Sequence, residues 1–287
     1  MTERNNLDRT GLPQSPDPSP PQALNQQMQF TVPTEFVDLP SGGKFYPEGH
    51  PLHGKDKVEI KYMTAKEEDI LASQALISSG VVFDRLLRSV VMEDVDPDDL
   101  LVGDKNAILI ASRVTGYGSD YLTEVTCPAC KQRSKFNFNL SEARRTKQVD
   151  SDEYDKLSVQ PTGNGTFTIN LEEMNVVLEV KPLYARDEKR LASIAAAKLK
   201  NNIGDSVVTD GMKAYIVSVN GNTTPGYINQ FVDAMPAKVS RKVRIIYKNI
   251  IPKVLINSDY SCANCGHNQE LEVPINIDFF WPDEQVY

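Results

Sequence analysis

Four cysteines occur in the 287 residues, in two pairs of identical spacing: Cys127-Pro128-Ala129-Cys130 and Cys262-Ala263-Asn264-Cys265, the second followed by Gly266-His267. A CxxC turn aims two thiolates at one point, and two such turns supply the four sulfurs of a tetrahedral zinc ion. The spacing assigns Cys127, Cys130, Cys262 and Cys265 to one structural zinc. Closing that site joins turns separated by 131 residues (131 to 261), so metal binding becomes folding free energy for the chain. Four sulfurs fill the shell, which leaves His267 a donor to a ligand or without a role.

Charge and composition narrow what else the chain can do. A net charge of -8 and a pI near 5.1 are the wrong sign for phosphate as the main partner. The opening MTERNNLDRTG has no apolar core of a secretory signal, and no run of 18 apolar residues suits a membrane span. Paired cysteines in that setting point to metal rather than disulfides, and to a cytoplasm.

Along the chain the pattern reads as α+β: helical lobes with short β-hairpins, joined by a zinc-ribbon-like four-cysteine site. Residues 1–30 are rich in Pro, Gln, Ser and Asn and read as a disordered tail or a partner-binding arm. Residues 31–140 form an amino-terminal helical lobe ending in the first knuckle. It opens on a turn-dense stretch, Phe36 to Pro51, whose Gly42-Gly43-Lys44 lacks the remaining residues of a phosphate-binding loop. Val58 to Tyr62 alternates as a strand, and Thr64-Ala65-Lys66-Glu67 is a capping box. Helices are expected after it, through Ile77, then over Val82–Val90, and over 104–115. The acidic loop from Glu93 to Asp99 lacks the glycine and distant glutamate of a calcium loop.

Residues 141–287 form the carboxy-terminal lobe. A polar stretch to about residue 160 reads as partly helical and as a hinge between the lobes. A hairpin follows, with Phe167, Ile169 and Leu171 facing Val176, Leu178 and Val180. Helices are expected over about 186–202, 225–235 and 237–249; residues 207–219 fit helix or strand. Strands should enter and leave both knuckles, the last carrying Leu271, Val273, Ile275, Ile277 and Phe279 inward. Phe280 and Trp281 then face outward as candidates for a partner.

The chemistry of enzymes is missing from this pattern: three histidines, no nucleophile elbow, no HExxH and no dinucleotide turn. The chain reads as a non-enzyme. Two other readings stay open. A zinc-ribbon nucleic-acid-binding factor would use Arg241, Lys242, Arg244 and Lys248 on one helix face. A CxxC thiol–disulfide protein would want its cysteines opening a helix, whereas these sit between strands.

LPSGGKFYPEGHPL at 39–52, TAKEEDILAS at 64–73, GVVFDRLLRSVV at 80–91, VGDKNAILIASRVTGYG at 102–118, the first CPxC and the final CxxCGH with IDFFWPD resemble the T-even-type baseplate protein family of contractile-tailed bacteriophages. The resemblance implies a structural or assembly component of the baseplate hub region. It further implies no catalysis, contacts with other baseplate and tail proteins, and a place in the virion tail or, during assembly, the host cytoplasm.

Overall fold

A computed structural model describes residues 31–142, 144–145, 151–273 and 277–280. The tail expected at 1–30 and Trp281 lie outside them. The fold mixes helix and sheet, and its strands pair antiparallel throughout.

Strands β1 (Thr34–Asp38) and β2 (Lys57–Lys61) pair across the turn-dense stretch. Helices α1 (Ala65–Ala72), α2 (Gln74–Ser78), α3 (Val82–Val90) and α4 (Val102–Tyr117) follow. The first expected helix is broken at Ser73, whose extended backbone (ψ 103°) separates α1 from α2. Its start is as expected: Thr64 and Glu67 form the capping box.

The turn-dense stretch is fixed by a buried hub on α4. Asp104 accepts hydrogen bonds from the Ser41 backbone N–H (3.0 Å), the Ser41 hydroxyl (2.6 Å) and the Tyr46 hydroxyl (2.8 Å). The Leu101 N–H donates to Tyr46 in turn (3.1 Å). Burial pushes the Asp104 carboxyl up from its usual range. Gly43 has φ 72°, and a Cβ there would stand 2.4 Å from the Lys55 nitrogen, so this turn requires glycine.

Glu67 does more than cap. Its buried carboxylate receives Lys61 (2.9 Å), Thr64 (2.6 Å) and Ser89 (2.5 Å), linking β2, α1 and α3. Burial acts against the charged form, but the Ser89, Thr64 and Lys61 hydrogen bonds outweigh it and bring the pKa down to about 2 from 4.5. A depressed carboxylate pKa stabilises the fold above pH 4.5, and that contribution is lost as pH falls from 4.5 towards 2. Glu67→Gln should therefore cost about 2 kcal/mol at pH 7, after allowance for screening, and little near pH 2. Urea unfolding of both proteins between pH 2 and 7 checks this; parallel stability curves would refute it.

The hairpin β3 (Asp120–Thr126) and β4 (Arg133–Asn139) carries the first knuckle. The two-residue β5 (Arg144–Arg145) pairs with β10 (Val254–Leu255). The polar stretch holds the expected helical part, α5 (Ser151–Leu157), and then β6 (Val159–Pro161), an edge strand whose Val159 is buried. With β7 (Phe167–Leu171), β8 (Val176–Val180) and β9 (Ile216–Val219) it forms a four-stranded sheet, ordered β6-β7-β8-β9. Helices α6 (Ala185–Lys200), α7 (Val207–Tyr215), α8 (Pro225–Ala234) and α9 (Ala237–Ile250) complete this part. Residues 207–219 are helix and then strand, which explains why neither period fits the whole stretch.

The hairpin β11 (Asn257–Ser261) and β12 (Asn268–Glu272) carries the second knuckle. Here the expected strand to Phe279 is corrected. Regular pairing ends by Val273, whose N–H reaches the Ile256 carbonyl, and residues 277–280 form a 3-10 turn. Side chains in that turn do not alternate, so Phe279 and Phe280 are both buried, packed ring to ring at 5.4 Å. Phe280 also meets Phe83 at 5.5 Å. The expectation that Phe280 faces a partner is therefore wrong: it is a core residue.

Two apolar cores result. One gathers Val37, Leu52, Ile60, Leu86, Ile108 and Phe138, and takes in Ile256, Val273, Phe279 and Phe280 from the far end of the described chain. The other lies between the four-stranded sheet and α7, α8 and α9. Gly103 marks how closely α4 approaches the returning segment: a Cβ there would lie 2.2 Å from the Pro252 carbonyl oxygen.

Candidate metal centre

Each knuckle is built by the same backbone turn. In the first, the Cys127 N–H donates to the Gln132 carbonyl (2.9 Å) and the Lys131 N–H to the Cys127 carbonyl (2.9 Å). In the second, the Cys262 N–H donates to the His267 carbonyl (2.9 Å) and the Gly266 N–H to the Cys262 carbonyl (2.8 Å). The residue four after the leading cysteine is left-handed in both, Lys131 at φ 61° and Gly266 at φ 68°. A non-glycine residue in that region is uncommon, so the turn is imposed on Lys131 by its surroundings. The two hairpins repeat each other in conformation while sharing little sequence.

The hairpins lie side by side and bring the turns together. Cys127 Sγ is 3.7 Å from Cys265 Sγ, and Cys130 Sγ is 3.8 Å from Cys262 Sγ. All four sulfurs lie within 4.8 Å of one another. These separations are far longer than a disulfide bond of about 2.05 Å. The 3.7 and 3.8 Å pairs match the roughly 3.8 Å edge of a tetrahedron with metal–sulfur bonds of about 2.3 Å. The four cysteines are thus placed where they could hold a metal ion. Cys127 and Cys262 are buried, Cys130 and Cys265 exposed.

Hydrogen bonds around the sulfurs favour thiolates unequally. The backbone N–H groups of Cys265 and Asn264 bring the Cys262 thiol down to about 6. The Gln132 N–H and then the Asn264 side chain lower Cys130. At Cys265 the His267 N–H pulls down, yet burial and the neighbouring sulfurs prevail and raise it to about 12. Four thiols crowded together cannot all ionise without a cation among them.

Several contributors are not marked in the sequence. Phe136 of β4 meets Tyr260 of β11 edge to face at 5.3 Å, and Ser134 and Tyr260 approach at 3.4 Å through their hydroxyls. Asn264 donates to Cys130 at 3.6 Å, from one knuckle to the other. His267 contributes its backbone, while its ring Nε2 lies 3.2 Å from Gln269 Oε1. Alternation in β4 marks Phe136 and Phe138; Tyr260 and the pairing between hairpins had no local signal.

Elsewhere, a cleft of about 340 Å³ is lined by Leu101, Leu183, Tyr247 and Ile251, with Asp104 already engaged by Ser41 and Tyr46 on its wall. The cations named on α9 stand on its exposed face, and Lys242 pairs with Glu173 at 2.8 Å.

Residues 32–281 match the family described as T4 bacteriophage base plate protein. No curated protein and no solved structure matches the chain.

Proposed function

The chain belongs to the T4 bacteriophage base plate protein family, and on that premise we propose that it serves in the hub region of a contractile tail base plate, through protein contacts and without catalysis. Its role in the base plate is structural, and its contacts are with other tail proteins. The match over residues 32–281 carries this reading. The hub position rests on the stretches at 39–52, 64–73 and 102–118 noted above, and assembly would take place in the host cytoplasm.

A single structural zinc on Cys127, Cys130, Cys262 and Cys265 completes the proposal. The tetrahedral fit of the sulfur separations supports it, since thiolate sets of this geometry suit zinc. The ion would supply positive charge and fixed geometry. The chain's own residues turn the sulfurs inward and donate N–H groups to them. In this reading the site fastens a lobe at 31–140 to a lobe at 141–287, with Trp281 and the segment 1–30 as the proposed contacts for neighbours.

The test is to isolate tail assemblies, their intermediates and finished virions from infected cells, detect the chain in each, and measure metal in the purified protein. One zinc per chain and presence in at least one assembly are expected. Absence from every assembly would overturn the base plate reading, and a metal-free protein would overturn the zinc.

A further inference from the structure

Helix α9 buries Val239, Val243, Ile246 and Ile250 against the second core. Its opposite face carries Lys238, Arg241, Lys242, Arg244 and Lys248, all exposed, and the helix contains no carboxylate. At 3.6 residues per turn these positions fall within one arc of about 160°. Ile245, 50% exposed, lies inside that arc. Its neighbours three and four residues away on the helix surface are Arg241, Lys242, Lys248 and Asn249. The face is thus a basic ring around one exposed aliphatic side chain.

The fold gains nothing from this arrangement. Lys238 stands in the first turn, at the positive end of the helix dipole. Lys238 with Arg241 and Lys242, and Arg244 with Arg241 and Lys248, occupy the spacings at which like charges on a helix repel. Cations on α6 are treated differently: Arg186, Lys189, Arg190 and Lys198 each meet a carboxylate. On α9, Lys242 pairs with Glu173 at 2.8 Å, and Lys238 acts on the same carboxylate from further away. Glu188 shares the cleft with Lys248 but is taken by Lys105. Among the described residues no carboxylate forms an ion pair with Arg241, Arg244 or Lys248. A chain of net charge -8 therefore keeps one strongly positive face uncompensated.

The charge sets the sign of what covers this face, and the aliphatic centre sets its kind. Two copies joined α9 to α9 would oppose all of these cations with their counterparts, which like-charge repulsion disfavours. A nucleic-acid backbone is met by charged and polar groups, and offers nothing to an isoleucine in the middle of them. A lipid interface takes up a broad apolar face, whereas this one holds a single aliphatic side chain. An apolar centre within a charged rim is the anatomy of a protein interface. Glu173 on Lys242 shows that a carboxylate can reach the ring.

We infer that the exposed face of α9 docks an acidic segment of another tail protein. An apolar side chain of that segment packs on Ile245, and its carboxylates meet Arg241 and Lys248. The inference rests on the base plate reading for the class of partner and names a surface that reading does not contain.

The test places a photo-reactive side chain at Ile245 of the full chain during infection, with Phe36, exposed on β1, as control. The expected result is a cross-link from position 245, and not from 36, to a segment of a tail protein containing Asp or Glu. Arg241→Glu with Lys248→Glu should cut its yield roughly tenfold, the scale of a lost interface charge pair. Lys at the partner's carboxylates should restore the yield, which separates lost docking from lost folding. Both substituted side chains are exposed and relieved of like-charge neighbours, so the melting temperature should not fall. Ile245→Asp should reduce incorporation into assemblies by a similar factor. A cross-link to a second copy, or a yield indifferent to charge reversal, would overturn the inference. So would binding to duplex DNA or RNA, or flotation with phosphatidylglycerol vesicles, that the charge reversal abolishes. Presence in assemblies without a cross-link from 245 overturns the docking face alone; absence from all assemblies overturns the base plate reading with it.

Discussion

Replacing Cys127 and Cys130 by Ser is expected to lower the melting temperature by on the order of 10 °C, the equivalent of about 4 kcal/mol in a domain of this size. The value is set by what the site does. With two sulfurs removed, the remaining pair could not hold the proposed zinc as a closed tetrahedral site, and its binding free energy would no longer stabilise the folded chain. The loss is smaller than the affinity of the metal because both apolar cores persist. It concentrates on the small cluster of Cys127, Tyr260 and Cys262, which has little else to hold it. A chelator should reproduce the shift in the native protein and do nothing further to the variant. Amide exchange should show β11 and β12 opening first. Identical melting with and without chelator would remove the metal from the account.

The second large effect is expected at Arg113. This side chain is fully buried on α4 and donates to three backbone carbonyls: Phe279 (2.8 Å), Gly118 (2.8 Å) and Asp120 (3.1 Å). Its guanidinium also stands over the Tyr117 ring at 5.2 Å. It therefore ties together the end of α4, the start of β3 and the turn at residues 277–280. Arg113→Met keeps much of the volume but strands three carbonyls, at a cost of about 3 to 5 kcal/mol. Lysine cannot span the same fork of acceptors, so Arg113→Lys should recover less than half of the loss. Chemical denaturation measures both, and exchange at Phe279 and Phe280 locates the damage. A loss under about 1 kcal/mol for Arg113→Met would show that the clasp contributes little.

Much of this was legible because local signals agreed with the tertiary outcome. The capping box at Thr64, the alternation of Phe136 and Phe138, the hairpin at 167–180 and the helices flanking Pro236 each carry their signal within a few residues. The four cysteines are legible for a different reason. Their spacing is a statement about geometry, and the geometry is present. What the sequence hides is non-local. Arg113 looks like one more charged residue of a helix until Phe279, 166 positions away, supplies its acceptor. Phe280 looks outward because alternation was extended past the point where β12 ends. The left-handed Lys131 has no residue signature at all, since the knuckle turn and not the residue type sets its conformation.

The returning segment has a consequence for timing. Ile256, Val273, Phe279 and Phe280 complete a core whose other buried residues lie between Val37 and Leu140, so that core stays open while the intervening sheet and helices are being made. Synthesis proceeds at about 5 to 20 residues per second, which leaves Arg113 without the Phe279 carbonyl, and Cys127 without Cys265, for many seconds. A copy interrupted before Phe280 would carry an unfinished core, and one interrupted before Cys262 only two of the four cysteines. The first core can therefore close only in a chain translated through that turn.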